Sequence, residues 1–353
     1  MMWLTGLSDF LLYITVSFLA GIVVFQFVPE ARKPVTRVSD KAVVFAVLSM
    51  PLLTAAPIMQ LVLFLADSRP FMTAVAEVLT GFRSGNVYMA GVAITLLWLI
   101  ALRLKAHRAI FTMLLVMTIV NIGYGSHAAS IDGLTGFLSH TIHLLALSLW
   151  AGVLLQVAWF RGTADHWERF TKWFTPFAMA MVAILLISGV LVMLLFVKPA
   201  DYVDSWILPY GQLLLLKHLS IIPLFAAAWI NKRRSSKLGP DDKWLKIESI
   251  ALLTVFFLTA FMSKLAPPHD INQTFRREGT APFSEWLSGA SYLPIRAQFT
   301  LSIEGLLMVA ISLCCFFLAF FSARQSRLMW LLLLLITGFV LFIYAGLMMN
   351  LRF

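Results

Sequence analysis

Apolar runs long enough to cross a lipid bilayer recur along the whole chain. A hydrocarbon core of about 30 Å takes roughly 20 residues of helix, and in lipid an α-helix satisfies its own backbone hydrogen bonds. The sequence therefore predicts an all-α, polytopic transmembrane bundle of about ten helices (eight to ten), forming one integral membrane domain over residues 1–353. The expected spans centre on residues 7–28, 43–66, 86–103, 109–124, 137–160, 173–197, 209–230, 247–265, 298–321 and 328–349.

The composition excludes an ordinary soluble domain. Only 12% of the residues are charged and 60% are hydrophobic, whereas soluble domains carry about 25% charged residues. The net charge of +10 is explained by Lys and Arg in loops beside anionic lipid headgroups. Membrane lipids are therefore expected partners, and the charge does not indicate nucleic acid.

Lys and Arg accumulate in alternate loops, and this bias predicts the orientation. The segments ARKPVTRVSDK (31–41) and NKRRSSKLGPDDK (231–243) are strongly basic, and short basic loops stay in the cytoplasm. Counting spans from these loops puts both termini on the extracytoplasmic side. The segment TAVAEVLTGFRSGNVYM (73–89) leaves the edges of the third and fourth spans open, because it also suits the membrane interface.

Three of the seven histidines fall within GYGSHAASIDGLTGFLSHTIHLLALSLWAG, residues 123–152. His140 and His143 are three residues apart and share one helical face. His218 enters the membrane from the same outer side. Ionisable side chains in a membrane usually face the bundle interior or a water-filled cavity, so the sequence predicts an outward-facing metal site of His127, His140, His143 and His218. The alternative is that these histidines only hydrogen-bond helices to one another.

Copper is the metal that the donor set favours. Imidazole binds copper, zinc, iron and nickel, whereas thioether and thiolate donors favour Cu(I), and the chain has 16 methionines. Both Cu(I) and Cu(II) remain open. The expected accessory metal or pathway positions are Met262, Glu304, Lys217, Glu248, Cys314, Cys315 and His269.

The accessory positions also have structural interpretations. Glu304, expected about two turns inside the ninth span, would pair with Lys217 instead of offsetting metal charge. Glu248 would stabilise the N-terminus of the eighth span. The adjacent Cys314 and Cys315, expected in the cytoplasmic half of the ninth span, would be small apolar residues.

Four stretches of the sequence resemble the copper resistance D family, the CopD/PcoD-like membrane proteins. They are GSHAAS, HLLALSLWAGVLL, YGQLLLLKHLSIIPLFAAAWINKRR and LKIESIALLTVFFLTAFMSKLAPP, and they define a family-like core over residues 123–268. The resemblance implies a copper uptake or copper handling protein of the bacterial cytoplasmic (inner) membrane, with a separate extracytoplasmic partner of the CopC type. The residues at family-like positions are His127, His143, Lys217, Glu248, Pro267 and Pro268.

Copper import or handling across the cytoplasmic membrane is the leading functional prediction, by a transporter and not an enzyme. The sequence contains no GxxxxGK[ST] nucleotide-binding loop, so the membrane potential, an ion gradient or a partner would supply the driving force. One alternative is a membrane b-type cytochrome in which a transmembrane pair such as His143 and His218 ligates haem. Another is a copper-binding sensor or scaffold that transports nothing.

Overall fold

The computed structural model describes residues 2–288, 293–325 and 329–353, and most of these residues are helical. The described helices are α1 (Met2–Phe27), α2 (Asp40–Ala66), α3 (Phe71–Gly81), α4 (Arg83–Arg103), α5 (Arg108–Tyr124), α6 (His127–Ile131), α7 (Gly133–Trp159), α8 (Trp167–Phe196), α9 (Pro209–Leu238), α10 (Asp242–Met262), α11 (Ile271–Glu278), α12 (Pro282–Ser288), α13 (Ile303–Gln325) and α14 (Met329–Met349). Two short strands, β1 (Gln298–Phe299) and β2 (Leu351–Arg352), pair antiparallel.

The prediction of an all-α, multi-pass membrane protein is confirmed. Within the described ranges, nine helices are long and apolar enough to cross a bilayer, and they are α1, α2, α4, α7, α8, α9, α10, α13 and α14. Helix α5 is apolar but shorter, at 17 residues, or about 26 Å. The ambiguous segment 73–89 divides at Phe82, where the backbone leaves the helical conformation between α3 and α4.

Contacts between helices gather the chain into two compact units, each described by itself. Unit 1 comprises Met1–Leu195 and Lys232–Leu245, and unit 2 comprises Phe196–Asn231 and Lys246–Phe353.

In unit 1, helices α1 and α7 approach each other closely because glycines face each other where they cross. A Cβ atom built on Gly21 would lie 2.3 Å from the carbonyl oxygen of Gly152, and one built on Gly152 would lie 2.2 Å from that of Ser17. Small residues at such positions let two backbones come together in a membrane. Gln156 of α7 adds a hydrogen bond from its side-chain nitrogen to the carbonyl of Phe18, at 3.3 Å.

Several loops of unit 1 meet at one end, which we call the basic end (loops 28–39, 104–107, 160–166 and 239–241). The amide of Arg37 donates to the carbonyl of Phe160 at 2.7 Å. Arg161 forms an ion pair with Asp242. The Arg108 guanidinium lies 4.8 Å from the centre of the Phe27 ring at the end of α1. The loops that were predicted to be cytoplasmic from their Lys and Arg residues therefore lie at one end of this unit.

The opposite end of unit 1, which we call the histidine end, carries Arg83, Tyr124 and helix α6. Arg83 donates to the carbonyls of Tyr124 and Ala129, and its guanidinium lies 4.0 Å from the centre of the Tyr124 ring. Helix α4 thus runs from the histidine end to the basic end, and α5 returns from Arg108 to Tyr124. The short helix α5 therefore traverses the unit in the reverse direction to α4.

In unit 2, the hairpin of α13 and α14 is held by close packing at Gly305. A Cβ atom there would meet the side chain of Asn350 at 2.5 Å. The Asn350 carboxamide oxygen accepts from the amide of Ser302 at 2.7 Å, and its backbone carbonyl accepts from the amide of Thr300 at 2.9 Å. Strand β2 then continues from Asn350 and pairs with β1, so the segment before α13 is tied to the end of α14.

Candidate metal site

His143 lies in the third turn of α7, where its side chain reaches helix α8. Its Nδ1 atom is 3.0 Å from Oγ of Ser188. The Ser188 hydroxyl is also 2.6 Å from the carbonyl oxygen of Ile184, one turn earlier on α8. Gly189 follows, and a Cβ atom there would lie 3.2 Å from Cε1 of the imidazole. Ser188 and Gly189 therefore set the position of the His143 ring.

His127 and His140 belong to the same unit as His143. His127 is the first residue of α6, whose N-terminus is capped by the Ser126 hydroxyl, and its side chain is exposed. Helix α6 lies against α7 because Gly136 leaves room for the carbonyl of Ala128. His140 is half-buried, one turn before His143. All three histidines therefore lie on or near the histidine end of unit 1.

His218 lies in unit 2, in the third turn of α9. Its Nδ1 atom is 2.7 Å from the hydroxyl of Tyr202, which precedes α9. Burial raises the pKa of the Tyr202 phenol to about 12, so the hydroxyl stays protonated at physiological pH. The ring of Trp206 packs edge-on against Tyr202, with 5.6 Å between ring centres. Tyr202 thus positions His218, and Trp206 packs against Tyr202.

Glu248 is not at the start of its helix, so the interpretation as an N-terminal charge is wrong. Helix α10 begins at Asp242, and that residue supplies the acidic side chain of the first turn. Glu248 lies in the second turn, where it is 6% exposed. Its carboxylate accepts a hydrogen bond of 2.8 Å from the side-chain nitrogen of Asn231 on α9. Glu248 is therefore a buried polar group of unit 2.

Glu304 lies closer to the end of its helix than the hydropathy indicated. Helix α13 begins at Ile303, so Glu304 is its second residue, and it is exposed. The ion pairs found among the described residues do not join Glu304 to Lys217, which lies beside His218 and is partly exposed. The proposed pairing of these two charges is therefore not observed.

The remaining accessory positions lie apart along unit 2. Cys314 and Cys315 lie at the middle of α13 as free thiols, Cys314 exposed and Cys315 partly buried near Gly338 of α14. Met262 is the last residue of α10 and is buried. His269 is exposed, and its ring centre lies 6.2 Å from that of Phe196.

Within the described parts of the chain, no three His, Cys, Asp or Glu side chains are gathered closely enough to hold a metal ion. The structure instead gives three of the candidates a polar neighbour, namely Ser188 for His143, Tyr202 for His218 and Asn231 for Glu248. These three neighbours were not among the site residues predicted from the sequence. The sequence does carry a signal for two of them, because the pair Ser188-Gly189 and the residue Asn231 are polar or small positions in apolar runs.

The comparisons with known proteins identify one region of the chain. The family model described as CopD, copper resistance protein D, matches residues 168–262. The match covers α8 to α10 and so includes Ser188, His218 and Glu248, whereas His127, His140 and His143 precede it. No curated protein and no solved structure matches the chain. Over residues 168–262, this multi-pass membrane protein is therefore CopD-like.

Proposed function

We propose that this protein moves or handles copper at the bacterial cytoplasmic membrane, as a transporter and not an enzyme. The observation that carries the proposal is the match of residues 168–262 to the copper resistance protein D family. The match lies within helices apolar enough to cross a membrane, which is where a transported ion needs polar side chains.

The two ends of unit 1 support an orientation for the copper site. The basic end gathers Lys and Arg residues from its loops and from the helix ends beside them, and short basic segments of this kind stay in the cytoplasm. The histidine end then faces outward, as does the start of α1 at Met2, because α1 ends at the basic end. With α5 as a tenth crossing, both termini would be extracytoplasmic.

We place copper capture at the histidine end, on His127, His140 and His143. His140 and His143 are one turn apart on α7 and so present neighbouring imidazoles. His127 is exposed and would meet an incoming ion first. A separate extracytoplasmic copper-binding protein of the CopC type would deliver the ion. A membrane potential, negative inside, favours entry of a cation by about 2.3 kcal/mol per charge per 100 mV.

The first test is the copper content and visible absorption spectrum of the purified protein. We expect bound copper in the wild type and its loss in a His140→Ala/His143→Ala double variant, because both proposed ligands are removed. His166→Asn is the matched control, since His166 is an exposed histidine at the basic end with a backbone φ of 59°, which asparagine tolerates. This control should retain its copper.

Two other outcomes would contradict the proposal. A Soret band that disappears in the double variant would make this a haem protein. Copper bound equally by all three proteins would remove His140 and His143 from the site.

In liposomes with an imposed inside-negative potential, copper should enter faster with the wild type than with the double variant. Bound copper without entry would instead indicate a sensor or scaffold.

A further inference from the structure

We infer that Ser188 holds His143 in the tautomer whose proton is on Nδ1, so that Nε2 is the atom that ligates the copper ion. The inference rests on the proposed function for its metal. It assigns to Ser188 a positioning role that neither the sequence nor the family match identifies.

The hydrogen bonds at Ser188 have a defined direction. A serine hydroxyl has one hydrogen to donate and two lone pairs to accept with. The Ser188 oxygen is 2.6 Å from the carbonyl oxygen of Ile184, and a carbonyl can only accept. The hydroxyl hydrogen is therefore used within α8, in the usual bond from a helical serine to the carbonyl four residues earlier.

The direction of these bonds determines which nitrogen of the His143 imidazole carries the proton. Because the Ser188 hydrogen is already directed at Ile184, the 3.0 Å contact with Nδ1 of His143 is made with Ser188 as acceptor. Nδ1 must then carry a proton. A neutral imidazole has one N–H and one nitrogen with a lone pair in the ring plane, so the lone pair of His143 is on Nε2.

Ser188 and Gly189 together determine the orientation of the His143 ring. Ser188 is 4% exposed, and its hydroxyl is bonded to Ile184 on the same helix, so the serine oxygen has a defined position on the face of α8 that meets His143. Gly189 leaves the space that the edge of the ring occupies, since a Cβ atom would approach Cε1 to 3.2 Å and Nδ1 to 3.5 Å. The serine fixes one edge of the ring, and the glycine makes room for it.

This arrangement is the one that metal-binding histidines use. A ligating histidine usually donates the N–H of its other ring nitrogen to an oxygen acceptor, which fixes the tautomer and the ring orientation, and loss of that acceptor lowers metal affinity or activity by about 10- to 100-fold. A contact that only joins two helices requires neither tautomer. His218 differs, because its neighbour Tyr202 has a hydroxyl hydrogen that it can direct at Nδ1.

The test compares Ser188→Ala, Ser188→Thr and a control, Ser148→Ala, for copper affinity in detergent or nanodiscs. Ser188→Ala removes the acceptor, so we expect copper affinity to fall about 10- to 100-fold. Threonine keeps a hydroxyl that can bond to the carbonyl of Ile184, and Ser188→Thr should recover most of the affinity. Ser148 is a fully buried serine of α7 whose oxygen has no hydrogen-bond partner, so its alanine variant should bind copper as the wild type does.

A second measurement reads the tautomer without copper. Solid-state NMR of the protein labelled with ¹⁵N-histidine in lipid distinguishes a protonated Nδ1 from a protonated Nε2. The signal that disappears in His143→Ala should show protonated Nδ1 in the wild type and in Ser188→Thr, and a shift toward protonated Nε2 in Ser188→Ala.

The outcomes separate this inference from the proposed function. Loss of copper in His143→Ala with unchanged binding in Ser188→Ala would overturn the role of Ser188 and leave the copper site in place. Unchanged copper binding in His143→Ala would overturn both. A protonated Nε2 on His143 in the wild type would overturn the inference whatever the copper affinities are.

Discussion

At the residue scale, a polar side chain inside an apolar helical bundle needs a hydrogen-bond partner, and the packing of the helices determines which residue that partner is. Glu248 and Asn231 form a carboxylate–amide hydrogen bond between α10 and α9, and both side chains are buried. Removing one member of such a pair costs more than replacing it by a group that makes the same bond. Substitutions at Glu248 can therefore separate the contribution of its hydrogen bond to stability from the contribution of its charge to transport.

We predict that Glu248→Gln retains most of the stability, because glutamine keeps an oxygen that accepts from Asn231. Glu248→Ala should lower the stability by about 1–3 kcal/mol, seen as a lower midpoint of thermal unfolding in detergent. The double variant Glu248→Ala/Asn231→Ala completes a thermodynamic cycle. Additive losses in that cycle would contradict the coupling. If Glu248→Gln is as stable as the wild type yet slower in copper entry, the charge matters for transport.

The sequence predicted which histidines are candidates, because their spacing is visible in the chain. It did not predict Ser188 as the neighbour of His143, since that contact depends on the rotation of α8 about its own axis. The position of Glu304 was missed for a related reason. Hydropathy alone extends the ninth span back to residue 298. In the structure the amide of Thr300 donates to the backbone carbonyl of Asn350 and the amide of Ser302 donates to the Asn350 side chain, and α13 begins only after them.

At the element scale, α1 and α7 cross through backbone contact at glycines and not through interlocking side chains. The backbones themselves are in contact at Gly21 and Gly152, and neither helix can rotate or slide there without a collision. The apolar pattern predicted both helices within a few residues of their bounds. Their pairing was not predicted, because apolar residues that face lipid and those that face another helix look alike in sequence.

We predict that Gly21→Ala destabilises unit 1, because its Cβ would lie 2.3 Å from the Gly152 carbonyl oxygen. Overpacking of this kind costs about 1–3 kcal/mol, measurable as a lower midpoint of thermal unfolding. Gly81→Ala is the matched control, since the nearest atom to its Cβ would be 3.9 Å away. Equal midpoints for the two variants would contradict the close crossing of α1 and α7.

At the scale of the whole molecule, the proposed orientation depends on charge at one end of unit 1. The basic end and the histidine end must lie on opposite sides of the membrane if α4, α5 and α7 each cross it. The distribution of Lys and Arg predicted that the basic end faces the cytoplasm. That prediction requires the basic loops of unit 1 to lie at one end, and in the structure they do. The orientation of the termini stays a prediction until the two ends are labelled.

We predict that single cysteines at the two ends react from opposite sides of intact cells. In a Cys314→Ala/Cys315→Ala background, Ser130→Cys at the histidine end should react with a membrane-impermeant maleimide. Ala164→Cys at the basic end should react only after the membrane is permeabilised. Both positions are exposed, so accessibility in the protein is matched. Labelling of Ala164→Cys in intact cells, with Ser130→Cys protected, would reverse the orientation.

The glycine crossing described above also constrains how a transport cycle could proceed. Because the backbones of α1 and α7 are in contact at Gly21 and Gly152, the two helices would move as one rigid body. His140 and His143, which lie on α7, would move with them. Helix α8 is different, because only 6% of its most apolar stretch is buried within the protein. A rocking motion would therefore meet least resistance at α8, and a displacement of α8 relative to α7 would break the hydrogen bond that orients His143.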